Sequence, residues 1–318
     1  MSDYNGMIHA EAALDTLKKK GAEKAVVQIT KQLKSEMNID SSKISLYRTT
    51  ENISVGMTAF IDTKRGFAAG NNLAGKAVTE LAAQAVSLAH SSQKDSGNDI
   101  SPAQPFAHLR SGDSEPDNEK MYERLTEFME YTKKTYPSLQ LNQCVLDFTW
   151  IDTVFANSQT VRFHQETGVY SFAAMFFAKD AHGTGSFNYG GAAHLHLNTP
   201  LKDWGGLDEL MRLSSGETRT QPLSGSFTGD IIITPQNTET FTSMLAELFM
   251  SDIPLITKTS IWKDKLNERV CSPLFTLHSY PCAPYNEIPA LFTKDGFKIE
   301  NITLIEKGIL KDFVLGLY

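Results

Sequence analysis

The chain has 318 residues, with 30 lysines and arginines against 37 aspartates and glutamates, for a formal charge of −7. Acidic and basic residues are interspersed, which argues against a broad electrostatic grip on nucleic acid, since that needs a basic face. Hydrophobic residues make up 41% of the chain, enough for a packed core and too many for a disordered one.

Ile8 to Lys20 has the pattern of a first helix, with Gly21 just past its end as a stop. Ala25 to Ile29 reads as a strand. Ile44, Leu46, Ile53, Val55 and Met57 alternate with polar residues, as half-buried strands do. Lys64-Arg65-Gly66 reads as a tight turn between strands. A second helix is expected from Gly75 to Ser91, with a small alanine face suited to close packing on a sheet. Ser91 to Asp117 is rich in Ser, Asp, Gly and Pro, and reads as a linker-like connection too polar to bury. Glu119 to Lys134 is a third helix, with Met121, Leu125, Phe128 and Met129 inward. Strand signals dominate from Gln140 to Leu197, with Asp180-Ala181-His182-Gly183 as a hairpin turn. A short helix follows at Leu207 to Leu213.

The polar stretch Thr218 to Gly225 marks the expected domain boundary. Beyond it Ile231-Ile232-Ile233 has the β-branched character of a buried strand. Thr234 and Pro235 suit the start of a helix. Phe241, Met244, Leu245, Leu248 and Phe249 then follow the helical period, so this face is expected to pack on a core. Three or so strands complete the chain. Runs of strands with helices set apart give an α+β class. The order helix–strands–helix, then helix–strands, hints at a duplicated plan in the first domain.

No position assembles an evident catalytic set. His194 and His196 share one face of a strand, a spacing that can bind zinc, but no third ligand is evident nearby. His164 and Glu166 also share a side, and a hydrogen-bonded surface pair is the simpler account. Cys271, His278 and Cys282 lack the paired spacing of structural zinc sites. The glycines of His182 to Ser186 and Gly190-Gly191 lack the context of a phosphate loop and suit hairpin turns. Gly225-Ser226-Phe227-Thr228-Gly229 places its serine one position too early for a hydrolase elbow. The three cysteines Cys144, Cys271 and Cys282 do not form a disulfide framework, and Met1 to Asn5 carries no signal-peptide pattern. The longest apolar run, Tyr170 to Ala178, is too short to span a bilayer, so a soluble cytoplasmic protein is expected.

A dispersed set of motifs covers nearly the whole chain. It includes Gly21-Ala22-Glu23-Lys24-Ala25, Phe60, Arg65-Gly66-Phe67-Ala68, Asn71 and Leu73, and the alanine-rich helix through Ala77, Leu81, Ala82, Ala85 and Ala89. It continues with Asn157-Ser158, Ser224-Gly225, Gly229 through Pro235, Asp295-Gly296 and Thr303 through Lys311. In order and spacing these resemble the TldD/PmbA family, long labelled modulators of DNA gyrase. The resemblance implies an α+β fold of mixed and antiparallel sheets with helices in an N-terminal domain, residues 1–220, and a mainly β C-terminal domain, residues 221–318. It also implies peptide processing and degradation, linked to gyrase-directed toxins. In the TldD branch the helix after the second-domain strand carries a His-Glu-containing zinc motif. Here the matching helix reads Glu239-Thr240-Phe241-Thr242-Ser243-Met244-Leu245-Ala246-Glu247, with no histidine. The PmbA branch, also called TldE, lacks the motif and is the better fit. The family continues past the equivalent of Leu317-Tyr318, so the second domain is expected to be incomplete relative to it. A late cysteine of the TldD zinc site falls in that further part.

On this resemblance the chain is expected to be the non-metal partner of a TldD-type metallopeptidase subunit, or to pair with itself, and to act on a peptide. No direct nucleic-acid or membrane partner is expected. No catalytic, cofactor-binding or metal-ligating residue is assigned, and zinc is expected only in the TldD-type partner. A stand-alone hydrolase with an unrecognised site and a regulatory peptide-binding protein are the rival readings.

Overall fold

A computed structural model describes residues 5–40, 43–219, 222, 224–281 and 288–318. The chain is α+β. Helix α1 (Gly6–Lys19) leads into strands β1 (Lys24–Asp40), β2 (Lys43–Ile61) and β3 (Lys64–Gly70), and then helix α2 (Gly75–Ser91). A short strand, β4 (Ala107–Ser111), comes next. Helix α3 (Asn118–Thr135), strands β5 (Leu139–Asn157), β6 (Arg162–Ala178) and β7 (Asn188–His194), and helix α4 (Leu207–Ser214) complete this part. The expected duplication is visible as order: helix, three strands, helix, twice over. The sheet runs β3-β2-β1-β5-β6-β4, with β7 also on β6. The first strands of the two halves, β1 and β5, pair antiparallel at its centre.

The helices lie on one face, and two cores sit beneath them. Ala10, Ala13 and Leu17 of α1 and Ala82, Ala85 and Ala89 of α2 pack on Val27, Ile29, Met57, Val154 and Ala156. Met121, Leu125 and Phe128 of α3 pack on Leu146, Phe148, Tyr170 and Phe172, with Trp204 and Met211 from the α4 end. The alanine face of α2 has a counterpart in Gly66. A β-carbon there would fall 2.1 Å from the Ala85 carbonyl oxygen and 2.2 Å from the Ala89 nitrogen. Only glycine lets the helix axis come this close to the strand.

Three local expectations are corrected. The tight turn is Asp62-Thr63, whose φ angles of 51° and 62° make the two-residue hairpin, while Lys64 to Gly66 already belong to β3. Glu23 Oε2 accepts the Asp62 amide and the Thr63 carbonyl accepts Asn98 Nδ2, so neighbouring side chains hold a turn that lacks glycine. The first strand continues through Asp40, because its polar second half still pairs on both sides, with β2 and β5. The polar connection Ser91 to Asp117 is not all surface. Ile100 and Ser101 are buried, and β4 joins the sheet parallel to β6.

The remaining described residues lie largely on the other face of the sheet. Phe155 and Phe163 meet Leu291 and Phe292 there, and Gln165 bonds to the Pro289 carbonyl and the Leu291 amide. Helix α5 (Pro235–Leu245) passes through a wide turn at Ala246–Met250 into α6 (Asp252–Ile256). Strands β8 (Leu277–Ser279), β9 (Ile302–Glu306) and β10 (Ile309–Leu310) form a small antiparallel sheet. Met250, Trp262, Leu304, Ile305 and Leu310 form its core.

One expectation fails in this part and another holds only in part. Ile231 and Ile232 are 88% and 90% exposed and lie in no strand, since no described segment pairs with them. On α5, Phe241 and Met244 are exposed, as is Leu248 in the wide turn, while Ala246, Phe249 and Met250 reach the core of the small sheet. The extra residue in the wide turn rotates the next positions about the helix axis, which brings Met250 inward in place of Leu248. Pro235 does start the helix, with Thr234 before it, although the Thr234 hydroxyl takes the Asn237 side-chain amide rather than a backbone N–H. The apolar run from Ile309 to Tyr318 is strand only at Ile309–Leu310.

Candidate functional site

Residues 150, 152 and 154 of β5 share the helix-covered face by the period of two. Val154 belongs to the core under α1, and Trp150 packs against the core under α3. Asp152 therefore lies in the gap between the two helical covers. The strand register fills that gap with polar groups. Lys31 stands opposite Asp152 on β1 and pairs with Glu51 at 2.9 Å. Glu166 stands opposite Asp152 on β6, and His108 on β4 is beside His164.

Four of these side chains form two hydrogen-bonded pairs. His164 Nε2 lies 2.9 Å from Asp152 Oδ1, and His108 Nε2 lies 2.9 Å from Glu166 Oε2. The two imidazoles stack, with centroids 4.7 Å apart and planes 14° from parallel. The Asp152 side chain is 9% exposed, while His108 at 40% opens the group to solvent. The hydrogen bond to Asp152 holds His164 above the ordinary histidine value, against the opposing effect of burial. Among the described residues this is the one place where three metal-ligating side chains converge: His108, His164 and Glu166 offer atoms within 4.8 Å of one another.

His164 and Glu166 do share a side, but each is bonded to a residue from another strand rather than to its neighbour. His108 and Asp152 were not legible as members, because only the sheet register brings three strands together here. His194 and His196 do not form a pair. His194 lies against Trp204 with centroids 4.4 Å apart and the rings tilted by 57°, and burial lowers its basicity. His196 bonds outward to Asp113 at 2.9 Å. Strand β7 ends at His194, so the alternation that would align the two does not continue. His278 bonds to Thr303 and stacks on Tyr280, Cys271 is half-buried with its thiol pushed up by burial, and Cys282 lies outside the described residues. Gly183 lies in the expected turn, where its carbonyl accepts the Asp180 amide.

Two further features suit an extended ligand. Strand β3 pairs only with Val55 to Ile61 of β2, so Lys43 to Ser54 present an unpaired edge among the described residues. On the face away from the helices, a cleft of about 310 Å³ is lined by Gln28, Thr30, Ser54, Arg65, Phe67 and Lys294. It begins where the open edge ends, at Ser54. Among the described residues no helix is long and apolar enough to cross a membrane.

Residues 226–318 match the family profile of the PmbA/TldA metallopeptidase C-terminal domain. No curated protein matches the chain by sequence. The fold is shared with TldE from Thermococcus kodakarensis, at a TM-score of 0.76 and 16% identity over 97% of this chain and 70% of that one. A candidate modulator of DNA gyrase from Bacteroides thetaiotaomicron superposes with a TM-score of 0.82 and 16% identity, over 100% of this chain and 73% of the other. Another from Thermotoga maritima gives 0.72 and 16%, over 98% and 71%. Residues 226–318 thus carry the profile of a PmbA/TldA metallopeptidase C-terminal domain, on a chain whose fold follows these structures throughout.

Proposed function

We propose that this chain is the PmbA (TldE)-like subunit of a TldD/PmbA-type peptidase assembly and supplies no catalytic zinc from its second-domain helix. The observation that carries this reading is α5 itself. A zinc site on one helix needs two imidazoles a turn apart and a carboxylate base. Pro235 to Met250 contains no histidine, and its two carboxylates, Glu239 and Glu247, both face solvent. The zinc then belongs to a TldD-type partner, and the pair processes or degrades peptides in the cytoplasm, with gyrase-directed toxins among the candidate substrates. The two-part division at residues 1–220 and 221–318 belongs to the same proposal, supported by a profile match that starts at residue 226.

The chain's own contribution is to hold an extended peptide. The unpaired N–H and C=O groups of Lys43 to Ser54 can bond a peptide as an added strand. The cleft beside Ser54 receives the peptide's next residues, with Arg65 and Lys294 as its cations. The test is peptide cleavage by the chain, by a TldD-type subunit, and by the two mixed. Cleavage only in the mixture fits the proposal. Cleavage by this chain unaided contradicts it.

A further inference from the structure

We propose that His108, His164 and Glu166 form a binding site for a borderline divalent cation, of the zinc, cobalt or nickel class, with Asp152 positioning His164. The site lies on the helix face of the first sheet. It is separate from α5 and independent of the assembly proposed above.

Charge gives the first reason. Two carboxylates, Asp152 and Glu166, occupy one gap in the helical cover, and neither is fully solvated: their side chains are 9% and 17% exposed. A divalent cation placed beside these two carboxylates would offset their charge.

Geometry and donor type point the same way. Two nitrogens and a carboxylate oxygen are the ligand set of zinc sites that keep an open position. Imidazole-rich sets favour zinc, cobalt and nickel over magnesium or calcium, which take oxygen. The three ligating atoms already lie within 4.8 Å of one another. Ligands about 2.0–2.2 Å from a tetrahedral ion are roughly 3.3–3.5 Å apart and each ring must hold the ion in its plane, so closure needs shifts of about 1 Å and rotation of one of the stacked imidazoles. The half-exposed ring of His108 gives the ion a way in. Asp152 holds the His164 ring by its hydrogen bond, as a carboxylate beside a ligating histidine does. Sheet register fixes three strands at the site, so the donors are carried on rigid elements.

The experiment is titration calorimetry of the full chain with zinc chloride, and with cobalt chloride followed by its visible absorption. One ion per chain is expected, with the intense cobalt spectrum of a four-coordinate site. His108→Ala and Glu166→Gln should each abolish that binding, and Asp152→Asn should weaken it about 10–100-fold. His196→Ala, whose ring bonds Asp113 outside the cluster, should leave it unchanged. Thermal melting of each variant in metal-free buffer separates lost binding from lost folding. Absence of stoichiometric binding, or binding that survives His108→Ala and Glu166→Gln in folded protein, overturns the proposal. Neither outcome bears on whether a partner subunit is needed for cleavage.

Discussion

At Asn157 one buried amide ties three pieces of chain together. Its Nδ2 donates to the carbonyl and hydroxyl oxygens of Ser101, and its Oδ1 accepts the amides of Gln159 and Val161. The β5–β6 hairpin and the connection before β4 are thereby closed around one side chain. Asn157→Ala would strand several of these groups, at about 1–3 kcal/mol for each one left buried and unpaired; a clear fall in chemical-denaturation midpoint is expected. Gly66→Ala would force its β-carbon into the Ala85 and Ala89 backbone of α2. Overpacking of this kind costs about 1–3 kcal/mol or more, and a melting temperature unchanged from wild type would contradict it. Glu36 gives a pH prediction. Burial, the largest influence, pushes its carboxyl up, but hydrogen bonds from Lys34, Asn38 and Arg48 outweigh that and hold it below the ordinary value of 4.5. With the folded value depressed, its stabilisation is present above pH 4.5 and is lost as pH falls through the folded value. Glu36→Gln should therefore destabilise the protein near neutrality. The gap from wild type should narrow as denaturation curves are taken below pH 4.5.

Helices α3 and α5 have the same apolar period in sequence and different fates. On α3, Met121, Leu125 and Phe128 are buried as the spacing requires. On α5 and the turn after it, the stripe through Phe241, Met244 and Leu248 remains exposed. Periodicity says which residues share a face, and the fold decides whether anything covers it. Leu125→Ala should cost about 2–5 kcal/mol. Leu248→Ala, an exposed change in this chain, should stay within about 0.5 kcal/mol; paired denaturation curves of the two variants check the contrast. The same limit explains the strands. Val55 and Met57 were legible because they alternate over a core. The second half of β1 was not, because backbone pairing on both sides holds it where side-chain pattern is weak. Strand β4 hid in a polar stretch because a five-residue parallel strand needs little apolar sequence of its own.

Across the whole molecule, the α+β plan and its duplicated order were readable, since they rest on local periods repeated many times. The histidine–carboxylate cluster was readable only as the pair His164 and Glu166. Its other members sit on β4 and β5, and nothing local in the sequence states their register. The open edge of β2 carries the proposed function at this level. Successive N–H groups on a strand point to opposite sides. Of Thr49→Pro and Thr50→Pro, one therefore removes a donor from the free edge and the other breaks a bond to β1. The edge-side variant should stay folded and lose peptide affinity, as read by fluorescence anisotropy of a labelled unfolded peptide. Equal peptide affinity in all folded forms would argue against strand addition. The decisive measurement is hydrolysis of an unfolded peptide by this chain alone, in buffer with added zinc, and again after a TldD-type subunit is mixed in. A non-metal subunit leaves the peptide intact on its own and supports cleavage in the mixture. Chelator-sensitive cleavage by the chain on its own would refute that role.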